Sequence, residues 1–204
     1  MVGAAAPVAT DRSDFRTVTV GGARIGLLTA AATVAFVLTS RYVPAPLPQS
    51  LLETLIVLAA GVAVSFLPAV WAAARSTEGI AGCAAMGLVG TIVFMAIDIV
   101  LLRPFKAYPW TWDALGGNSS WWYLPIWWML GTFLAWTGGI VTAGLAARGE
   151  ATLARAATPT LVATVVLVTA ARLAGLQVAL PVATGAGFTL ALAVLAVAAL
   201  ARKP

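Results

Sequence analysis

Long apolar runs recur along the chain from residue 25 to residue 201, interrupted only by short polar or proline-containing segments. Each run approaches the roughly 20 residues that a helix needs to cross the hydrocarbon of a bilayer. A soluble helix keeps a polar face, whereas these runs are apolar all round. Only 9% of the residues are charged, against about a quarter in soluble domains. The pattern predicts an all-α fold, a polytopic transmembrane helical bundle.

Six spans are read at 25–42, 54–74, 80–102, 121–147, 158–171 and 182–201. The first four stand apart. Only Arg172 and residues 173–181 separate the last two, so five spans with one re-entrant piece is the alternative. Residues 1–24 read as an N-terminal polar tail, 25–201 as the transmembrane domain, 103–120 as a Trp-rich outer loop and 202–204 as a C-terminal tail. The N-terminal stretch does not read as a secretory signal. Asp11, Arg12, Asp14 and Arg16 precede the first apolar run, and that run is a full span. Pro68 and Pro181 are each expected to bend or end a span. No internal repeat is evident.

Cationic residues set the orientation. With six spans the tails share a side with Arg12, Arg16, Arg24, Arg75, Arg148, Arg155, Arg202 and Lys203. The opposite side holds Arg41, Arg103, Lys106 and Arg172. This bias predicts both tails in the cytoplasm and, for a bacterial protein, residence in the inner membrane. The net charge of +5 then faces mainly anionic headgroups. It forms no patch that fits a nucleic acid.

Missing residue types exclude some chemistry. The chain has no histidine, so it offers no imidazole to a haem, a chlorophyll or zinc, and no histidine base. A single cysteine, Cys83, allows no internal disulfide, zinc cluster or iron–sulfur centre. Cys83 reads as a small buried apolar residue, with palmitoylation as the alternative. Arg172 is expected to snorkel to the outer headgroups. No phosphate loop, serine triad or metal-ligand spacing occurs.

Seven of the eight tryptophans lie between Trp110 and Trp136. Pro104 and Pro109 break helix before them, and the run from Gly116 to Ser119 has turn chemistry. Trp110, Trp112, Trp121 and Trp122 suit an aromatic belt at the headgroup level. Trp128 and Trp136 do not. At about 1.5 Å per residue they lie roughly 10 Å and 22 Å below Trp121. Trp121, Trp122, Trp128 and Trp136 share about a third of the helix circumference, with Tyr123 and Trp127 opposite unless Pro125 redirects the first turn. Two readings of this stripe stay open. It meets a flat apolar ligand (a lipid tail, a quinone or a carotenoid) or a neighbouring subunit. Otherwise it packs internally on small residues, for which Gly87, Gly90, Gly131, Gly138, Gly139 and Gly144 offer surfaces.

Seven acids are present, and Asp98 is the one inside an apolar run. It lies about 7 Å from the Arg103 end of its helix. With Glu53, Arg103 and Lys106 it forms a candidate outer ionic cluster, with Arg41 as a further partner for Asp98. An acid within a span is a functional-site hypothesis by default. An interfacial salt bridge or hydrogen bond is the structural alternative. No charged group lies at mid-membrane depth, which argues against an ion pump or a transporter of charged solutes.

Between Asp98 and Trp136 the chain resembles the membrane-embedded carotenoid-biosynthesis family that includes bisanhydrobacterioruberin hydratase. The resemblance rests on Asp98, Trp110-Thr111-Trp112, Gly116-Gly117, Trp122-Tyr123, Pro125 and Gly131. Tyr123 and Trp128 stand where the family pattern has a glycine and an asparagine. The resemblance implies hydration of a terminal isoprenoid double bond. Such a reaction needs an acid to protonate the alkene and a base to activate water, and Asp98 and Asp113 are the candidates.

Three functions follow. The first is a non-catalytic accessory subunit of a larger respiratory or photosynthetic membrane complex. In it Trp110, Trp112, Trp121, Trp122, Trp128 and Trp136 would contact lipid, pigment or other membrane-protein subunits. The second is an isoprenoid-modifying enzyme using Asp98. The third, a small-solute transporter, is disfavoured by the apolar spans.

Overall fold

The computed structural model describes residues 11–102, 123–149 and 151–202. Among these residues there are six α-helices and no strand. They are α1 (Phe15–Tyr42), α2 (Pro46–Trp71), α3 (Thr77–Ile97), α4 (Tyr123–Ala146), α5 (Leu153–Leu173) and α6 (Leu180–Ala201). A π-helical turn, Asp98–Leu102, continues α3 at its C-terminal end. All six helices are long and apolar enough to cross a membrane. The five-span alternative is therefore set aside. A turn with Gly175 at φ +82°, a backbone region that favours glycine, separates α5 from α6.

The helix ends differ from the ends of the apolar runs. The first helix begins at Phe15 and not at residue 25, so 15–24 are helical and not tail. Asp14 caps it, accepting from the Thr17 amide at 3.0 Å and the Thr17 hydroxyl at 2.6 Å. At 28 residues, α1 is about 42 Å long against a hydrocarbon core of about 30 Å, so its polar first turns stand outside the apolar layer. Helix α2 starts at Pro46 and α5 at Leu153, both earlier than the apolar pattern. Pro68 lies inside the last turn of α2, and Pro181 sits in the first turn of α6, where proline costs no hydrogen bond.

The first four helices form a bundle in which α3 packs between α1 and α4, with α2 laid against α1 and α4. The α5–α6 hairpin attaches mainly through α6, which packs on α2 and α4. Small residues set these contacts. On α1 the buried positions are Gly21, Gly22, Ile25, Gly26 and Ala30. A Cβ on Gly26 would lie 2.7 Å from the Gly90 carbonyl oxygen of α3. On the other face of α3, Gly87 meets the Gly131 carbonyl of α4, and Gly138 of α4 meets the Ser65 carbonyl of α2. Helices in lipid gain nothing from hiding apolar surface, so close backbone approach and its dispersion energy hold them together.

The largest apolar cluster joins Phe66 of α2, Ile140 of α4, Ala156 of α5, and Phe188 and Leu192 of α6. Buried threonines are satisfied within their own helices. Thr91 donates to the Gly87 carbonyl, Thr142 to Gly138 and Thr164 to Thr160. Ser65 Oγ is the one buried side-chain polar atom without a hydrogen-bond partner among the described residues.

On the side of the two termini, the segment before α1 is docked on the α2–α3 turn. The Asp11 carboxylate accepts from the Arg75 amide (3.0 Å), the Ser76 amide (2.9 Å) and the Gly79 amide (2.9 Å), and from the Ser76 hydroxyl. The Arg12 amide donates to the Ala72 carbonyl at 2.7 Å, and Ser13 donates to Glu78 at 2.7 Å. Asp11 thus serves as a second cap on the α3 N-terminus beside Ser76, from a distant part of the chain.

Candidate functional site

The tryptophans of α4 face two ways. Trp127 turns toward α3, where its ring meets Phe94 edge-on with centroids 6.1 Å apart. It borders a narrow cleft of about 80 Å³ with Ile25, Val64, Gly87, Thr91 and Gly131, and the indole itself stays 37% exposed. Trp128 and Trp136 turn away from the bundle and are 39% and 44% exposed. With Ile126, Met129, Leu130, Thr132 and Phe133, all from α4, they line a shallow and largely open groove on the surface of that helix. Phe133 supports Trp136 edge-on at 6.5 Å.

The groove runs about 15 Å along α4, from Ile126 to Trp136. Thr132 is the only lining residue with a polar side chain among the described residues. Trp136 lies about 20 Å from the Tyr123 end of α4, near the middle of the helix and too deep for a headgroup belt. Internal packing of Trp128 and Trp136 on small residues is not what the fold does. Gly87, Gly131, Gly138 and Gly139 are consumed by helix contacts with α2 and α3, and Gly144 by Ala199 of α6. The remaining tryptophan, Trp71, is at the far end of α2 beneath the Arg24 guanidinium, 5.7 Å from the ring centroid.

Trp110, Trp112, Asp113, Trp121 and Trp122 lie outside the described residues, as do Arg103 and Lys106. Two members of the expected outer cluster are described. Glu53 of α2 is buried, and its carboxylate accepts from Ser40 of α1 at 2.7 Å and from Gln49 at 2.9 Å. Those partners are neutral, so Glu53 ties α1 to α2 through hydrogen bonds. Asp98 is fully buried and opens the π-helical turn. A π turn inserts one residue into a helix and frequently marks a functional position.

The docked N-terminal segment was not foreseen from the sequence. For Asp11, burial raises the carboxyl pKa. The hydrogen bonds from the Ser76 hydroxyl and the Ser76, Gly79 and Arg75 amides outweigh that, and the net shift is downward. Asp14 is also held below the ordinary aspartate value, by the Thr17 hydroxyl first and then the Thr17 amide.

Fold and groove together define a six-helix integral membrane protein with an exposed aromatic groove on its fourth helix. No protein family, curated protein or solved structure matches the chain.

Proposed function

We propose that this chain is a non-catalytic accessory subunit of a larger membrane complex, respiratory or photosynthetic. Its Trp128–Trp136 face holds an elongated apolar molecule (a lipid tail, a quinone or a carotenoid) against a neighbouring subunit. The observation that carries this reading is Trp136 left half-exposed at mid-span, with Trp128 about two turns nearer the helix end on the same open apolar face of α4. Two large indoles on one open apolar face offer a flat or chain-like guest extensive dispersion contact. By the positive-inside rule the arginine-rich tail side is read as cytoplasmic, and the membrane as a bacterial inner one. The internally bonded threonines offer no polar path for a solute, which weighs against transport.

A second reading rests on Asp98. Asp98 is buried at a π turn, a feature that frequently marks functional positions, and the resemblance to the hydratase family makes its carboxyl the candidate group for protonating an isoprenoid alkene. Asp98→Asn and the pair Trp128→Ala and Trp136→Ala separate the two readings. An accessory subunit keeps its partners in Asp98→Asn and loses partner or bound ligand in the tryptophan variants. An enzyme loses product formation in Asp98→Asn while remaining folded.

A further inference from the structure

A second cleft, of about 330 Å³, opens at the tail-side rim where the start of α3 meets the ends of α4 and α6. Three arginines are among its described lining residues: Arg75 from the α2–α3 turn, Arg148 beyond the end of α4, and Arg202 at the end of α6; the nearby Asp11 carboxylate is taken up by the Arg75 and Ser76 amides and the Ser76 hydroxyl. Below them the walls are apolar, including Ile80, Ile140 and Leu200. From Arg148 to Ile140 the cleft descends about 12 Å along α4, far enough to pass from the headgroup level into the hydrocarbon.

Arg148 and Arg202 would be explained by the helix ends alone, since cations stabilise helix C-termini. Arg75 lies between the end of α2 and the start of α3, whose amides Asp11 already caps, so the two helix ends act on its charge in opposite senses. Helix ends account for cations at the rim but not for three of them around one cleft. Three segments distant in sequence therefore bring cations to one mouth with a greasy floor. The mouth matches a phosphate and the floor matches an acyl chain.

We infer that this cleft binds the phosphate headgroup of an anionic lipid, with the three guanidinium groups on the phosphate and the first part of a chain along Ile80 and Ile140. This site is separate from the α4 groove and does not depend on the function proposed for it. Guanidinium groups suit the task because they remain charged and pair with phosphate through two parallel N–H donors.

The test uses the full chain in nanodiscs of phosphatidylcholine, with or without phosphatidylglycerol, released for native mass spectrometry. The wild-type protein is expected to retain phosphatidylglycerol over phosphatidylcholine by about ten-fold or more. The triple variant Arg75→Gln, Arg148→Gln, Arg202→Gln should lose that preference. A control triple, Arg12→Gln, Arg16→Gln, Arg24→Gln, removes the same charge from the same rim and should keep it. Wild-type protein without any preference overturns the inference, and needs no variant to fold. So does equal loss in both triples, which would mean diffuse attraction to the rim. Displacement of the lipid by inorganic phosphate alone would show a site for a soluble anion and would equally overturn it.

Discussion

The Cα of Gly87 on α3 faces the backbone carbonyl of Gly131 on α4, and a Cβ on Gly131 would in turn collide with the Thr91 hydroxyl. The two helices cross with no room for a side chain at either position. Gly87→Val should therefore destabilise the bundle by about 1–3 kcal/mol, the usual cost of forcing atoms into a filled contact. Gly185 of α6 is the contrast, because the nearest atom to its added Cβ is Val57 Cγ1 at 3.6 Å, an ordinary contact. Gly185→Ala should be neutral or stabilise by about 0.5–1 kcal/mol through helix propensity. Thermal unfolding in one detergent compares the pair, and equal losses would contradict this account of the packing.

Adjacent tryptophans should behave differently. Trp127→Ala removes the edge-on contact with Phe94 and enlarges the space beside Thr91, so it should cost about 1–3 kcal/mol. Trp128→Ala exchanges contact with lipid or ligand for contact with lipid and should leave the melting temperature nearly unchanged. The two rings are almost equally exposed, so the reverse ranking would show that the Phe94 contact does not anchor Trp127.

Docking of the N-terminal segment should depend on pH. Asp11 binds its proton less tightly folded than unfolded, so its contribution is fully present above the unfolded pKa of about 3.9. It is lost as pH falls through the lower folded value. At neutral pH, Asp11→Ala should raise hydrogen exchange at the Ser76 and Gly79 amides by about ten-fold, the size of a lost helix cap. Unchanged protection at those amides would show that Ser76 alone caps α3.

Glu53 offers a test of hydrogen bonding against charge. Glu53→Gln keeps an oxygen acceptor for Ser40 and should cost less than about 1 kcal/mol. Glu53→Leu removes the acceptor from both Ser40 and Gln49 and should cost about 1–2 kcal/mol. A large loss in Glu53→Gln, read by thermal unfolding, would mean that the carboxylate charge itself is needed.

The six crossings were legible because each helix must be apolar along its whole length, whichever neighbour it meets. Their ends were less so. The apolar pattern begins at residue 25, but Asp14 and Thr17 start the helix earlier, and the turns outside the hydrocarbon are free to be polar. The opposed directions of Trp127 and Trp128 follow from 100° per residue. That Trp128 looks outward depended on which helices flank α4, which no local pattern carries. The same holds for Asp11, whose partners Ser76 and Gly79 lie 65 and 68 residues away. Arg75, Arg148 and Arg202 were legible as rim charges and orientation signals. Their convergence on one cleft needed the packing of α4 on α6, where Gly144 meets Ala199.

The most direct test of the accessory-subunit reading is mild extraction from native membranes, followed by size analysis, an absorption spectrum and mass spectrometry of co-eluting species. The account predicts a large particle with stoichiometric partner subunits and a bound lipid, quinone or carotenoid that diminishes in the Trp128→Ala and Trp136→Ala variants. A single colourless chain in its micelle, with no such molecule bound, would contradict it and move the weight to Asp98.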